Sequence, residues 1–212
     1  MGPRRGGGGL KLAAGLAALG LLVSGPAWAL PRGVRPAVVR SGTLTHEDGA
    51  LRPVCRPLIA GELDACLRLR TGPEERWVLP GDLRQWGVEA EAAWAGMERL
   101  AGRRLRGAMR QVAVEGMDAS YWLADRGDGW AGAVLLRPDL AVRWLGPELR
   151  VAAPSFDVVL AWTPSAPELD LIMAVGVHDM YEQQAGPVHD GVFRTGPGGW
   201  ALFGAARRVT EP

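Results

Sequence analysis

The chain has 212 residues, 48% of them apolar, and a formal net charge of +1, so one domain with a core burying about two-thirds of its unfolded surface is the default. The near-neutral balance gives no electrostatic reason for a nucleic-acid or anionic-membrane partner. Asparagine is absent, which excludes N-linked glycosylation.

Residues 1–29 read as a secretory signal peptide. Arg4, Arg5 and Lys11 form a positive start, and Leu12 to Val23 form an apolar run too short to span a bilayer comfortably. Gly25-Pro26 breaks the helix, and Ala27-Trp28-Ala29 offers small residues for cleavage between Ala29 and Leu30. An uncleaved anchor is the alternative. Arg4-Arg5 also raises twin-arginine export, although four glycines follow where that signal wants apolar residues. Removing the leader leaves 21 arginines against 23 acids, a balance of −2, and no lysine. The reading places the protein in the periplasm or outside the cell, without stable membrane insertion after cleavage.

Residues 30–50, rich in Pro, Gly, Arg and Thr, read as an extended, partly mobile N-terminal segment, with the domain proper over 51–204 and a tail over 205–212. Cys55 and Cys66 are the only cysteines. In an oxidising compartment an even pair reads first as a disulfide. A two-residue turn at Ala60-Gly61 sets Ile59 against Glu62 and, counting outward, Cys55 against Cys66. Pro57 weakens that ladder, and a looser loop or two buried thiols are the alternatives. Alternation over Leu63 to Arg70 predicts a strand that turns at Thr71 to Glu74 and returns over Glu75 to Leu79.

Asp82 caps a short helix ending at Gly87, and a longer helix runs from Val88 to about Leu105, with Ala90, Trp94, Met97, Ala101 and Leu105 on one stripe. Arg103, Arg104 and Arg106 fall at its end, where the helix dipole favours cations without any ligand. Strands follow at Met109 to Val114, Ser120 to Asp125 and Trp130 to Leu136, the last two joined through Arg126-Gly127-Asp128-Gly129. Gly127-x-Gly129-x-x-Gly132 matches a dinucleotide fingerprint, and Arg126-Gly127-Asp128 matches an integrin-type tripeptide. The fingerprint needs a following helix where this reading has a strand.

Arg137-Pro138-Asp139 opens a short helix to Leu145, and Leu149 to Ala153 and Phe156 to Thr163 read as strands around Pro154-Ser155. In the final helix Ser165 and Glu168 make a capping box, Leu169, Ile172, Met173, Gly176, Val177 and Met180 face inward, and Gly186-Pro187 ends it. A hairpin across Gly196 to Gly199 closes the chain. The sum is an α+β single domain, a largely antiparallel sheet with two main helices packed on one face. The eight tryptophans beyond residue 29 fall singly within these elements, as core aromatics do.

Arg56-Pro57-Leu58, the run Trp77 to Leu83 leading to Trp86-Gly87-Val88, and Pro154 to Leu160 together resemble the YtpQ-like family of uncharacterised bacterial proteins over residues 51–203. Phe156 stands where that family usually has an arginine. The resemblance implies an α+β domain and no activity, cofactor or catalytic residue.

Chemistry has few candidates. Only His46, His178 and His189 offer neutral-pH acid or base groups. Gly-x-Ser-x-Gly, His-Glu-x-x-His and Gly-x-x-x-x-Gly-Lys are missing. His178 falls on the solvated face of its helix and His189 in a turn, so neither a catalytic nor a metal site is expected, and no cofactor. The reading is therefore a non-catalytic exported domain that binds a protein, peptide or envelope component. The alternative is a periplasmic hydrolase with a site near Asp157, His178 and His189.

Overall fold

The computed structural model describes residues 30–44 and 52–205. The expected signal peptide with its cut at Ala29-Leu30, His46, and residues 206–212 of the expected tail lie outside the described residues.

The first sheet is built on a nine-residue strand whose alternation is visible in the sequence. That strand, β3 (Leu63–Thr71), has β1 (Val34–Arg40) antiparallel along one edge, while β2 (Cys55–Ile59) and β4 (Glu74–Trp77) share the other edge end to end. The seam between β2 and β4 is hydrogen-bonded at Leu67, which donates to Val54 O (3.0 Å) and accepts from Val78 N (2.9 Å). Cys55 is paired with Cys66, as the turn count requires, and the two are joined by a disulfide with Cα atoms 4.0 Å apart. The difficulty at Pro57 is resolved by a register shift between Pro57 and Ile59, so that Ile59 faces Leu63 instead of Glu62.

The N-terminal segment read as mobile is, over β1, part of the domain. Val34, Ala37, Val38 and Val39 are buried, and the strand pairs with β3 from Val34–Leu69 to Arg40–Leu63. Its partner lies about 30 residues away, so nothing local in a stretch rich in Pro and Gly announces it. The domain therefore includes β1, ahead of the expected start at residue 51.

Next come α1 (Pro80–Trp86), closed by Gly87, and α2 (Ala90–Ala108). Asp82 accepts a hydrogen bond from the backbone N–H of Leu79 (2.8 Å), so it fastens the first turn of α1 from inside the helix. Trp94, Met97, Ala101 and Leu105 of α2 are buried, but Ala90 at the start of the expected stripe is exposed.

The second sheet has six antiparallel strands in the order β10-β9-β7-β8-β6-β5: β5 (Arg110–Ala113), β6 (Ser120–Ala124), β7 (Arg150–Ser155), β8 (Val158–Trp162), β9 (Gly191–Gly196) and β10 (Gly199–Ala205). Between β6 and β7 lie α3 (Ala133–Leu136) and α4 (Pro138–Leu145). The apolar run from Trp130 to Leu136 is thus not a strand but a turn leading into α3. Every residue in it is buried. A segment enclosed on all sides has no polar face to display a period, and helix and strand cannot be told apart.

The last helix, α5 (Pro167–Gln183), begins one residue later than the Ser165/Glu168 box requires. Its N-cap is Ala166, without a side-chain cap. Leu169, Met173, Ala174 and Val177 pack on Leu123, Ala152, Leu160, Trp162 and Val192 of the second sheet. Ile172, expected inward, is 44% exposed beside exposed Leu171 and Val175. The contact stripe is narrower than the helix's apolar surface.

The fold is α+β with antiparallel sheets, but the two main helices do not share one face. The buried side chains of α2 pack with Val34, Ala65 and Leu67 of the first sheet, whereas α5 covers one face of the second. The opposite face of the second sheet meets α3, α4, the end of α2 and the corner of the first sheet in the central core, around Phe193, Leu135, Leu149 and Leu63.

Candidate functional site

Asp157, His178 and His189, the expected alternative catalytic group, are held in three separate environments. Asp157 sits in the turn between β7 and β8, beside Arg68 and Arg70 near the end of β3. His189 is only 6% exposed and lies by the other end of that strand. Its Nδ1 accepts from the N–H of Gly191 (2.7 Å), which leaves the proton on Nε2, where it donates to Glu62 (2.9 Å). The backbone N–H of His189 donates to Ala153 O (3.2 Å), four residues before Asp157, but its ring is held by Glu62 and Gly191 while Asp157 lies with Arg68 and Arg70. His178 is on α5, across the second sheet from the central core. It is half-buried rather than solvated, with an enclosed Nδ1 that has no hydrogen-bond partner among the described residues. The proposed triad is therefore not assembled, and His189 is a buried link between the sheets instead of a turn residue in water. Among the described residues no cluster of three His, Cys, Asp or Glu side chains could hold a metal ion.

The glycine-rich loop is explained by packing. A Cβ on Gly132 would lie 2.8 Å from Cγ2 of Val38, and one on Gly129 would lie 2.8 Å from Cδ of Arg35. These glycines let β1 pass close by. A helix does follow the loop, contrary to the expectation, but α3 has four residues and β6 belongs to an antiparallel sheet, so the parallel strand-helix-strand setting of a dinucleotide site is missing. The carboxylate of Asp128 accepts from the N–H of Trp130 (3.0 Å) and its carbonyl from Arg35. The tripeptide is thereby bound into the domain.

Arg35, Arg68 and Arg70 gather at this loop with Phe156, Asp157 and Glu75 around a space of about 10 Å³, room for about one water. Arg68 pairs with Glu75 and lies over the Phe156 ring (4.8 Å). Burial pushes the Asp157 carboxyl above its ordinary range, against the pull of Arg68. The cluster is filled by its own side chains.

Another meeting of arginine and aromatic residues is open. Leu105 and Arg106 from the last turns of α2, Met109, Trp122 of β6, and Arg143, Trp144 and Leu145 from the end of α4 line a groove of about 370 Å³, within the size range of small-ligand sites. The guanidinium of Arg106 lies 4.6 Å from the centre of the Trp144 ring, a cation-π distance. Neither Arg106 nor Arg143 has a carboxylate partner among the described residues. By contrast Arg56, Arg68, Arg76, Arg110 and Arg137 are each paired with one. The groove thus offers an apolar, aromatic floor and two cations whose charge no described carboxylate balances, the chemistry for an apolar group carrying negative charge.

Sequence reasoning passed over this site. Its walls come from three elements, and Arg106 has an adequate local explanation in the helix dipole. The one signal was Arg143-Trp144 at the end of a short helix. The aromatic count conceals it too: Trp94, Trp130, Trp162 and Trp200 are buried, while Trp77, Trp86, Trp122 and Trp144 are half-buried. No family model, curated protein or solved structure matches the chain.

Proposed function

We propose that the protein is an exported, non-catalytic binding domain, and that the groove between the end of α2, β6 and α4 takes an apolar ligand bearing a negative charge. The observation that carries the reading is the pair of guanidiniums without a carboxylate partner among the described residues, Arg106 and Arg143, beside the half-buried Trp122 and Trp144. Export is supported by the leader-like residues 1–29 and by the Cys55–Cys66 disulfide. No helix among the described residues is long and apolar enough to cross a membrane. Kinship with the YtpQ-like proteins is part of the proposal and adds no activity to it.

Anilinonaphthalene sulfonate, an apolar fluorophore with one negative charge, tests the groove. The folded protein is expected to bind one equivalent saturably, with the affinity lowered about tenfold or more by the Arg106→Ala/Arg143→Ala pair and by Trp144→Ala. Saturable binding that ignores these substitutions, or none at all, overturns the assignment. N-terminal sequencing of protein recovered outside the cytoplasm is expected to begin at Leu30, and a start at Met1 there overturns the export reading.

A further inference from the structure

We infer that the groove's ligand is the C-terminus of an extended polypeptide, which adds to the second sheet as an antiparallel strand beside β5 and sets its terminal side chain and carboxylate into the groove. This rests on the groove reading and goes beyond it by naming the partner's chemistry.

The first ground is an open sheet edge. β5 is the last strand of the second sheet, and its only strand partner among the described residues is β6. Val114 N–H donates to Ala119 O (2.9 Å), which fixes the alternation. Val112 and Arg110 also turn their backbone groups toward β6, and Gln111 and Ala113 turn theirs outward. Both outward residues are exposed. Two N–H and two C=O groups therefore stand ready for another chain, the geometry of strand addition.

The second ground is where the groove lies along that edge. Met109, the residue before β5, and Trp122, the cross-strand partner of Gln111, are in its wall. A strand antiparallel to β5 runs from Ala113 toward Arg110 and ends at the groove. Its last residue then brings an apolar side chain to Trp122, Trp144, Leu105 and Met109, and its carboxylate to Arg106 and Arg143. The charges select the direction. A parallel strand would bring its N-terminal end, and any free ammonium, to the same two cations. β5 spans four residues, about 13 Å, so the recognised segment is about four residues plus the terminal one.

The test uses a fluorescein-labelled hexapeptide of alternating threonine and valine ending in phenylalanine with a free carboxylate, followed by anisotropy on the folded protein. Saturable binding is expected, with displacement of anilinonaphthalene sulfonate. Amidating the terminus is expected to weaken binding at least about tenfold. Single N-methylation along the peptide is expected to alternate, abolishing binding at the amides that face Gln111 and Ala113 and sparing their neighbours. Ala113→Pro removes an outward N–H, a change edge strands tolerate, and is expected to lose the peptide while keeping the fluorophore. If Ala113→Pro fails to fold, the N-methyl series decides on the wild-type protein. Equal binding of amidated or N-methylated peptides overturns the inference. So does a fluorophore that binds in an Arg106- and Arg143-dependent way while the peptide neither binds nor displaces it, and in that case the groove stands. If neither probe binds, the groove reading falls as well.

Discussion

Of the places where this molecule brings arginines onto aromatic rings, the glycine-rich loop and the end of α2 differ most plainly in what surrounds the cations. At the glycine-rich loop Arg35, Arg68 and Arg70 meet Glu75, Asp128 and Asp157, and side chains fill the space down to about 10 Å³. At the end of α2, Arg106 and Arg143 meet no carboxylate among the described residues, and about 370 Å³ stays open. The same residue types thus serve as a clamp between β1, β3 and the β7–β8 turn in one place and as the lining of an open groove in the other. Counting arginines or tryptophans does not separate the two. What separates them is whether the chain supplies the counter-charge itself.

The comparison is sharpest where a methyl group is added to each region. Gly33 borders the closed cluster with φ +112°, and a Cβ there would lie 2.4 Å from the backbone oxygen of Arg70. Gly33→Ala therefore combines an unfavourable backbone angle with a backbone clash, and we expect a loss of about 2–4 kcal/mol in urea unfolding. Gly107 follows Arg106 in α2, and a Cβ there meets nothing within 4 Å among the described residues. Gly107→Ala is expected to gain about 0.5–1 kcal/mol. Equal effects from the two would mean that the closed cluster is not tightly packed.

His189 tests whether other links between the sheets are closed in the same sense. It is buried, holds Glu62 with one ring nitrogen and Gly191 with the other, and packs on Phe193 with ring centres 5.1 Å apart. His189→Ala leaves the Gly191 N–H without its acceptor and is expected to cost about 1–3 kcal/mol. His189→Gln, which keeps some hydrogen-bonding capacity, should cost less. A loss below about 0.5 kcal/mol for the alanine variant, typical of surface positions, would place the histidine in the solvated setting that its turn sequence suggests.

What could be read ahead follows the range of the interactions. The hairpins around Ala60-Gly61, Gly72-Pro73 and Pro197-Gly198, the Cys55–Cys66 register and the presence of α5, though not its capping box, all rest on neighbours within a few turns of chain, and each is found. β1 was missed because its ladder is with β3. The burial of His189 was missed because Glu62 lies 127 residues earlier. Ile172 shows the reverse error, an apolar residue assigned inward because the helix carries more apolar surface than the sheet covers. The groove needed α2, β6 and α4 placed together, and no local pattern encodes that meeting.

The smallest expected effect concerns Asp157, and it asks whether the closed cluster fully compensates the charges it encloses. Burial, opposed by Arg68, raises this carboxyl above its ordinary value, so the folded protein holds the proton more tightly than the unfolded chain does. The sign follows from linkage. Below the unfolded value, about 3.9, both states are protonated and the group contributes nothing. As pH rises from there to the folded value, the unfolded chain loses the proton first and gains relative stability, and above the folded value the penalty is constant. Asp157→Asn removes the titration. Wild type and variant are therefore expected to agree within about 0.5 kcal/mol at the acid end of the folded range, with the wild type falling behind as pH rises toward 7 in urea unfolding followed across pH. If the wild type instead gains on the variant with rising pH, Arg68 and Arg70 outweigh the cost of burial. The closed cluster would then hold a surplus of positive field, and the contrast with Arg106 and Arg143 would be one of access to the site and not of compensation.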